Sequence, residues 1–337
     1  MRLWTTSGDG IDSLAVTHVR RPDPGPGQVL VQLRAWSLNY RDLLVIQGES
    51  TWRPAAPVTP ISDGAGIVSE VGAGVTRVIP GDRVSAMFLP FWRSGPLTED
   101  VYHSPTGGPR RPGVLADYVV LDQDHLEVVP GSLNEFEAAT LPVAALTAWH
   151  AVVVRCKVRP GDRVLIHGSG GVALFALQFS VALGAEVIVS TSSQTKAQRV
   201  IELGASRAVD RRATPDVAEA VLGWTGGRGV DHVIETVGGE NLNHSLRSVA
   251  IGGSIAFIGL IAGLSAPVNT YEFVTKNVDL HGIETGSAEM YREMARFIDR
   301  HQIKPVIDDV LPVTDVQAAL HRLARGGHFG KIALRAD

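Results

Sequence analysis

The 337-residue chain reads as an α/β protein in two parts, a β-rich irregular barrel and a doubly wound parallel sheet. Three observations predict this. Short apolar runs recur through the first 120 or so residues between turn signals: 29–35 alternates in strand fashion, and 64–71 and 83–87 are bounded by Gly72-Ala73-Gly74 and Pro80-Gly81-Asp82. From about residue 123 the rhythm changes to strands alternating with helices, the pattern of a parallel sheet. At the head of that alternation, Val164-Leu165-Ile166-His167-Gly168-Ser169-Gly170-Gly171 joins an apolar strand to a helix through a glycine turn.

In chain order, the barrel strands are followed by a long insertion, 90–113, rich in Pro and Gly and carrying Phe91, Trp92, Tyr102 and His103. A loop of that length in a packed domain is usually functional or mobile. Helices are expected over 133–140, with Asn134 as N-cap and Glu135 and Glu137 in the first turn, and over 144–154. After Pro160-Gly161-Asp162-Arg163 come strands 164–167, 186–191, 208–210, 231–237, 254–259 and 279–283, separated by helices 172–183, 196–203, 215–222 and 242–250. The tail holds helices 289–299 and 313–324 and a short strand, 331–334.

The bulk composition excludes several classes. Hydrophobic residues make up 45% and charged residues 20%, enough for a sizeable core. A net charge of −4, with no run of like charges, gives no reason to expect nucleic acid or an anionic membrane as partner. Arg20-Arg21, Arg110-Arg111 and Arg211-Arg212 read as solvated surface. The single cysteine, Cys156, excludes an internal disulfide and a cysteine-rich zinc site, and reads as a packing residue. Two uncharged stretches, 164–185 and 248–271, are broken by glycines in the manner of buried strands with their flanking elements, so membrane insertion is rejected. The first seven residues lack the apolar core of a signal peptide, and a cytoplasmic location is expected.

At the glycine turn the backbone must bend sharply and approach a pyrophosphate with no Cβ in the way, and the following helix N-terminus supplies free N–H groups. Gly168, Ser169, Gly170, Gly171 and Val172 are the candidate cradle, with Ala173 at the last position of the fingerprint. The next strand ends Val189-Ser190-Thr191-Ser192-Ser193, without the Asp or Glu that grips the ribose hydroxyls of NAD. Ser192, Ser193 and Lys196, with Arg199 beyond, suit the 2′-phosphate of NADPH. The alternative for Lys196 and Arg199 is an ordinary solvated helix face.

Further segments carry a family resemblance: Ser37-Leu38-Asn39-Tyr40-Arg41-Asp42, Asp63-Gly64-Ala65-Gly66-Ile67-Val68 with Glu70-Val71-Gly72, Gly81-Asp82-Arg83-Val84, Leu146-Thr147-Ala148-Trp149 and Gly227-Arg228-Gly229-Val230-Asp231. With them the chain resembles the medium-chain dehydrogenase/reductase superfamily, and within it zinc-independent quinone oxidoreductases and enoyl reductases. The resemblance implies a GroES-like catalytic domain, residues 1–122 and 288–337, around a Rossmann dinucleotide-binding domain, 123–287. It also implies that Thr147 lies at a helix start facing the nicotinamide. Gly259-Leu260 and Gly282-Ile283 would offer backbone to its carboxamide, and Lys331 would reach the cofactor phosphates. Trp52, Phe91 and Trp92 would border the cleft for a small apolar or aromatic substrate. The last strand of the Rossmann sheet would pair two copies into a homodimer.

Zinc alcohol dehydrogenases of this superfamily hold their metal with a Cys, then the His of a Gly-His-Glu triplet, then a second Cys or an acid. Read onto this chain those positions are Asn39, Ser62 (in Ile61-Ser62-Asp63) and a site near Val143, none a zinc donor. The loop 90–113, where a structural zinc lobe would fall, has no cysteine, and His103, His125, His150 and His281 read as structural. No metal is expected. Without a Lewis acid, hydride acceptors that delocalise negative charge suffer least, namely quinones and α,β-unsaturated carbonyls. Oxyanion stabilisation then falls to hydrogen bonding, with Asn39 and Tyr40 as the candidates, Tyr40 as proton donor, and an Arg41–Asp42 pair holding the segment. Relatives often carry Gly-x-Tyr-Pro after the first helix, whereas Gly48-Glu49-Ser50-Thr51-Trp52 here lacks that tyrosine. Two alternatives stand beside this reading: a metal-free NAD(P)-dependent alcohol dehydrogenase or carbonyl reductase, and a catalytically idle NADPH-binding protein.

Overall fold

The computed structural model describes residues 1–102 and 104–337, so His103 lies outside the described residues. From the N-terminus run β1 (Arg2–Thr5), β2 (Ala15–His18), β3 (Gln28–Ser37), α1 (Tyr40–Gln47), β4 (Asp63–Val71), β5 (Arg83–Ala86), β6 (Tyr118–Asp122), β7 (Leu126–Val128) and α2 (Glu135–Ala139). Next come α3 (Leu146–Trp149), β8 (Arg163–His167), α4 (Gly171–Ala182), β9 (Glu186–Thr191), α5 (Gln194–Glu202), β10 (Arg207–Asp210), α6 (Val217–Trp224), β11 (Val230–Glu235), α7 (Asn241–Ser248), β12 (Val249–Phe257), α8 (Thr270–Thr275) and β13 (Asp279–Gly282). The tail is α9 (Ala288–His301), β14 (Ile307–Pro312), α10 (Val316–Arg325) and β15 (Lys331–Arg335).

The chain forms two compact units, Met1–Leu146 with Thr285–Asp337, and Thr147–Glu284. The boundary expected at 122/123 therefore falls at 146/147. The reason is pairing: β7 joins β5 antiparallel, and α2 packs on β3 and β4, so this stretch is held by the first unit. Asn134 caps α2, its side chain accepting from Glu137 N at 3.0 Å while Glu137 accepts from Asn134 N at 2.8 Å.

The first unit's main sheet runs β14-β15-β3-β4-β5-β7, with β6 also on β3. Register decides what meets at its end. Ser37 on β3 faces Asp63 on β4, and also Ala333 on β15. The backbone of Leu38, just past β3, donates to Ile332 O at 3.0 Å. A residue near the C-terminus is thus brought beside the loop that opens α1. Beneath the sheet, Trp36, Leu43, Ile46, Val68, Leu115, Leu320 and Leu334 form the apolar core.

The second unit is one parallel sheet ordered β10-β9-β8-β11-β12-β13. Its order reverses between β8 and β11, the switch point where doubly wound sheets bind ligands outside the carboxyl ends of their strands. Leu165, Ile188, Val233, Ile255 and Leu246 fill its core. The helix expected over 144–154 runs from Leu141 to Arg155, with π-helical turns at Leu141–Ala145 and His150–Arg155 on either side of α3. Such turns are rare and recur at functional sites. Among the described residues no helix is long and apolar enough to cross a membrane.

Candidate active site

Asn39 stands at the N-cap of α1 in extended conformation and is buried. Its backbone N–H donates to Asp42 Oδ2 at 2.9 Å, which fixes the first turn of the helix. The side-chain amide is engaged at both ends: Nδ2 donates to Asp63 Oδ2 at 2.8 Å and lies 3.4 Å from Ser62 Oγ. Oδ1 accepts from the Lys331 ammonium at 2.6 Å, and the same ammonium donates to Leu38 O at 2.5 Å. Asp42 accepts from Ser62 N at 3.1 Å and Ser62 Oγ at 2.7 Å, and pairs with Arg41 at 3.3 Å, as expected of that pair.

Lys331 is therefore a correction. Expected at the cofactor phosphates, it is 4% exposed and bonded to Asn39. The cause is the pairing of β15 with β3, which delivers the lysine to the end of that strand. Asp63 is fully buried, with Oδ1 lacking a hydrogen-bond partner. Burial pushes its carboxyl up to about 7, against the opposing pull of Lys331 and the Asn39 bond. Burial likewise lowers Lys331, against the attraction of Asp63 and Asp42.

Zinc does not fit this donor set. The positions read as ligands are an amide, a hydroxyl and an apolar side chain, and an ammonium sits on the amide. No group of three or more His, Cys, Asp or Glu suited to a metal occurs among the described residues.

The segment before Ser62 is strained. Ile61, buried and β-branched, has φ +70°, a conformation such residues rarely adopt. The long insertion holds it there. Gly113 N donates to Thr59 O at 2.6 Å, Val114 N to Ile61 O at 2.9 Å, and a Cβ on Gly113 would stand 2.1 Å from Ile61 O. Part of the insertion expected to shape a cleft thus props the Ser62 segment.

Tyr40, the first residue of α1, is 39% exposed. The aromatic trio does not form one wall. Trp92 is a correction: it is buried in a cluster with Phe88 and Leu89, packed on by Val143 and Met290, and its Nε1 donates to Gly95 O at 2.9 Å. Phe91 is exposed, edge-on to His125 at 5.0 Å and covered by the Arg111 guanidinium at 4.8 Å. Trp52 lies in a short 3-10 turn under Arg41, whose guanidinium carbon is 5.4 Å from its ring.

In the second unit the turn after β8 has the form the sequence suggested. Gly168 sits at φ +97°, and a Cβ there would meet Thr236 Oγ1 at 2.9 Å. Gly170 caps α4 at an ordinary φ of −82°, and a Cβ on it would meet nothing within 4 Å. Its lack of a side chain answers no need of the protein, and this open cradle fits a dinucleotide pyrophosphate at the amides of Gly171 and Val172. Ser193 caps α5, accepting from Lys196 N at 3.3 Å, with Ser192 beside it. Arg211 N donates to Thr191 O at 3.0 Å, so Arg211 flanks the same strand end; its sequence signal, the Arg211-Arg212 pair, reads as plain surface. Gly259 N donates to Glu235 O at 3.0 Å and Ile283 N to Phe257 O at 3.0 Å, which fixes Leu260 and Gly282 next to them. Thr147 is a further correction: it lies in the middle of the 141–155 helical run, because the π-helical turn precedes it, and not at a helix start.

Sequence reasoning missed a buried network under the glycine turn. His167 Nδ1 meets Ser190 Oγ at 2.8 Å, and its Nε2 lies 3.9 Å from Glu235 Oε2. Glu235 accepts from Val237 N at 2.8 Å, Gly238 N at 3.0 Å, Asn241 Nδ2 at 2.6 Å and Ser245 Oγ at 2.6 Å. Burial holds the His167 pKa below its usual value, overriding the attraction of Glu235.

Comparison with known proteins agrees with this architecture. Residues 25–131 match the alcohol dehydrogenase GroES-like domain, and residues 171–300 match the family described as zinc-binding dehydrogenase. A zinc-type alcohol dehydrogenase-like protein of Schizosaccharomyces pombe is 38% identical over 97% of this chain and 96% of its own. A protein from Sinorhizobium meliloti known from its crystal structure superposes with a TM-score of 0.93 at 40% identity, covering 99% of this chain and 98% of that one. An NAD-dependent alcohol dehydrogenase superposes with a TM-score of 0.89 at 31% identity over the whole of both chains. With these matches, its GroES-like unit and its parallel nucleotide-binding sheet, the chain belongs to the medium-chain dehydrogenase/reductase superfamily, as an alcohol dehydrogenase-like, NAD(P)-dependent oxidoreductase.

Proposed function

We propose that this protein is a zinc-independent, NADPH-dependent oxidoreductase acting on a quinone or an α,β-unsaturated carbonyl. The observation that carries the reading is the filling of the metal-ligand positions by Asn39 and Ser62, with the Lys331 ammonium bonded to the Asn39 amide. Neither side chain is a thiolate or imidazole, and a fixed positive charge beside them opposes a dication. Preference for NADPH is supported by Ser192 and Ser193 after β9, Lys196 in the first turn of α5 and Arg211 after β10, and by the absence of an acid at the end of β9 itself, although Asp210 ends the neighbouring β10.

The open cradle at Gly168, Ser169, Gly170, Gly171 and Val172 would hold the pyrophosphate, and the bound dinucleotide supplies a hydride. The chain's own task is to meet negative charge developing on the acceptor oxygen and deliver a proton. Exposed Tyr40, beside the buried cluster, is the proposed donor. A flat apolar acceptor suits the half-buried ring of Trp52, which lies under Arg41, next to Tyr40 in the chain. The names of the relatives, alcohol dehydrogenases among them, favour a second reading in which a simple carbonyl is the acceptor.

Purified protein with NADPH and NADH against quinones, enones and aldehydes separates these readings. The expected result is fastest oxidation of NADPH with a quinone or enone and a loss of at least about tenfold in turnover for Tyr40→Phe. Stoichiometric zinc in the purified enzyme, or aldehydes as the best substrates, would overturn it. We also propose a homodimer through the free edge of β13. That strand pairs with β12, while Leu280 on it and Leu264, Tyr271 and Val274 in the chain segment leading to it are exposed. Sedimentation of Leu280→Lys as a monomer, against a dimeric wild type, is the expected result.

A further inference from the structure

We propose that Lys331 acts through Asn39 as the fixed positive charge of this site, a positioning residue that clamps and polarises the amide offered to the acceptor oxygen. The proposal rests on the zinc-independent reading and assigns the part a metal would otherwise take. Lysine is almost never fully buried unless paired, yet here its ammonium lies at the end of β3 with two acceptors, Leu38 O and Asn39 Oδ1. The charge ledger explains the partner. Asp42 is satisfied by Asn39 N, both donors of Ser62 and Arg41, whereas Asp63 receives one bond, from Asn39 Nδ2, and leaves Oδ1 bare. Lys331 therefore compensates Asp63 through the amide between them.

That arrangement has a chemical consequence. A cation on the amide oxygen withdraws electron density from nitrogen and makes its N–H groups better donors. One of them is fixed on Asp63 at 2.8 Å, and the other has only the 3.4 Å contact to Ser62 Oγ. Such a long contact is readily exchanged for a stronger acceptor. An oxygen gaining negative charge as hydride arrives is one, and a charge-assisted bond to it is worth about twice a neutral one.

The full-length enzyme, Lys331→Met, Lys331→Arg and the double variant Lys331→Met/Asp63→Asn provide the test. With the best enone or quinone, Lys331→Met should lose about 10²-fold in kcat, as for removal of one oxyanion donor. KM and the NADPH dissociation constant should move by less than roughly threefold. Its melting midpoint should fall by roughly 10 °C, because Asp63 is left uncompensated. The double variant should recover most of that midpoint without recovering kcat, and Lys331→Arg should recover part of kcat. A double variant that turns over like wild type would overturn the proposal, as would weaker NADPH binding with kcat intact, which would return Lys331 to the cofactor phosphates. Metal analysis of the wild type keeps the two readings apart. Stoichiometric zinc defeats the parent reading, whereas zinc-free protein with an unaffected Lys331→Met defeats only this one.

Discussion

Two glycines of one turn should respond to the same substitution in opposite ways. Gly168→Ala forces an L residue into φ +97° and sets a Cβ 2.9 Å from Thr236 Oγ1, a hydroxyl that donates to His167 O. The backbone conformation costs about 1–2 kcal/mol and disturbing the hydrogen bond about 1 more. The melting midpoint of the unliganded protein should therefore fall by roughly 4–12 °C. Gly170→Ala adds its Cβ at φ −82° into open space. Alanine is a poorer N-cap than glycine by some tenths of a kcal/mol, but it restricts the unfolded chain by a similar amount, so stability should stay within about 0.5 kcal/mol of wild type. The new methyl instead occupies the pyrophosphate cradle, and NADPH affinity should fall at least about tenfold, or 1.4 kcal/mol. Thermal melts without ligand and fluorescence titrations with NADPH read the two quantities separately. Wild-type affinity in Gly170→Ala would refute the placement of the pyrophosphate, and a destabilised Gly170→Ala would refute the claim that the space is empty.

Two further outcomes are expected. Lys196→Ala should weaken NADPH by about tenfold while leaving NADH nearly unchanged, the loss of one charge-assisted bond; an unaltered ratio of the two affinities removes Lys196 from the 2′-phosphate site. Because burial lowers the His167 pKa in the folded protein, the unfolded chain takes up a proton first, below about pH 6.5. Stability then declines as pH falls from there toward the lowered folded value, by up to about 1.4 kcal/mol per pH unit. His167→Gln should show a shallower decline in denaturant titrations between pH 7 and 5, and an unchanged slope would mean that other groups dominate.

Features that depend on near neighbours in sequence were legible. The turn at Gly168–Gly171 announces itself because strand, glycines and helix are consecutive, and the Asn134 cap because its partner Glu137 is three residues on. The strands of the parallel sheet were found from their apolar runs, most of them set between helices of eight residues or more, whereas the six-residue α8 before β13 gave no sequence signal. Features made by pairing across the chain were not legible. Strand β7 is too short to show a period, and its pairing with β5 is what shifted the unit boundary. Lys331 lies 292 residues from Asn39, and only the antiparallel seating of β15 on β3 reveals that they touch. The resemblance placed Trp92 at the cleft together with Phe91, but neighbours in an irregular loop can face opposite ways, and this one faces the core.

The seating of β15 between β14 and β3 also sets a timetable for synthesis. The strands from β3 to β7 leave the ribosome about 200 residues before the strand that completes their sheet, a wait of roughly 10–40 s at bacterial to eukaryotic elongation rates. During that time the middle unit, continuous in sequence, is free to fold, while β6 already covers Gln28–Gln32 on the second edge of β3 and only its Ala35–Ser37 end stays open. Loss of residues 331–337 would leave that short end open permanently and remove the ammonium beside Asn39. A truncation in this protein should therefore expose a three-residue stretch of strand and strip the site of its charge in one event.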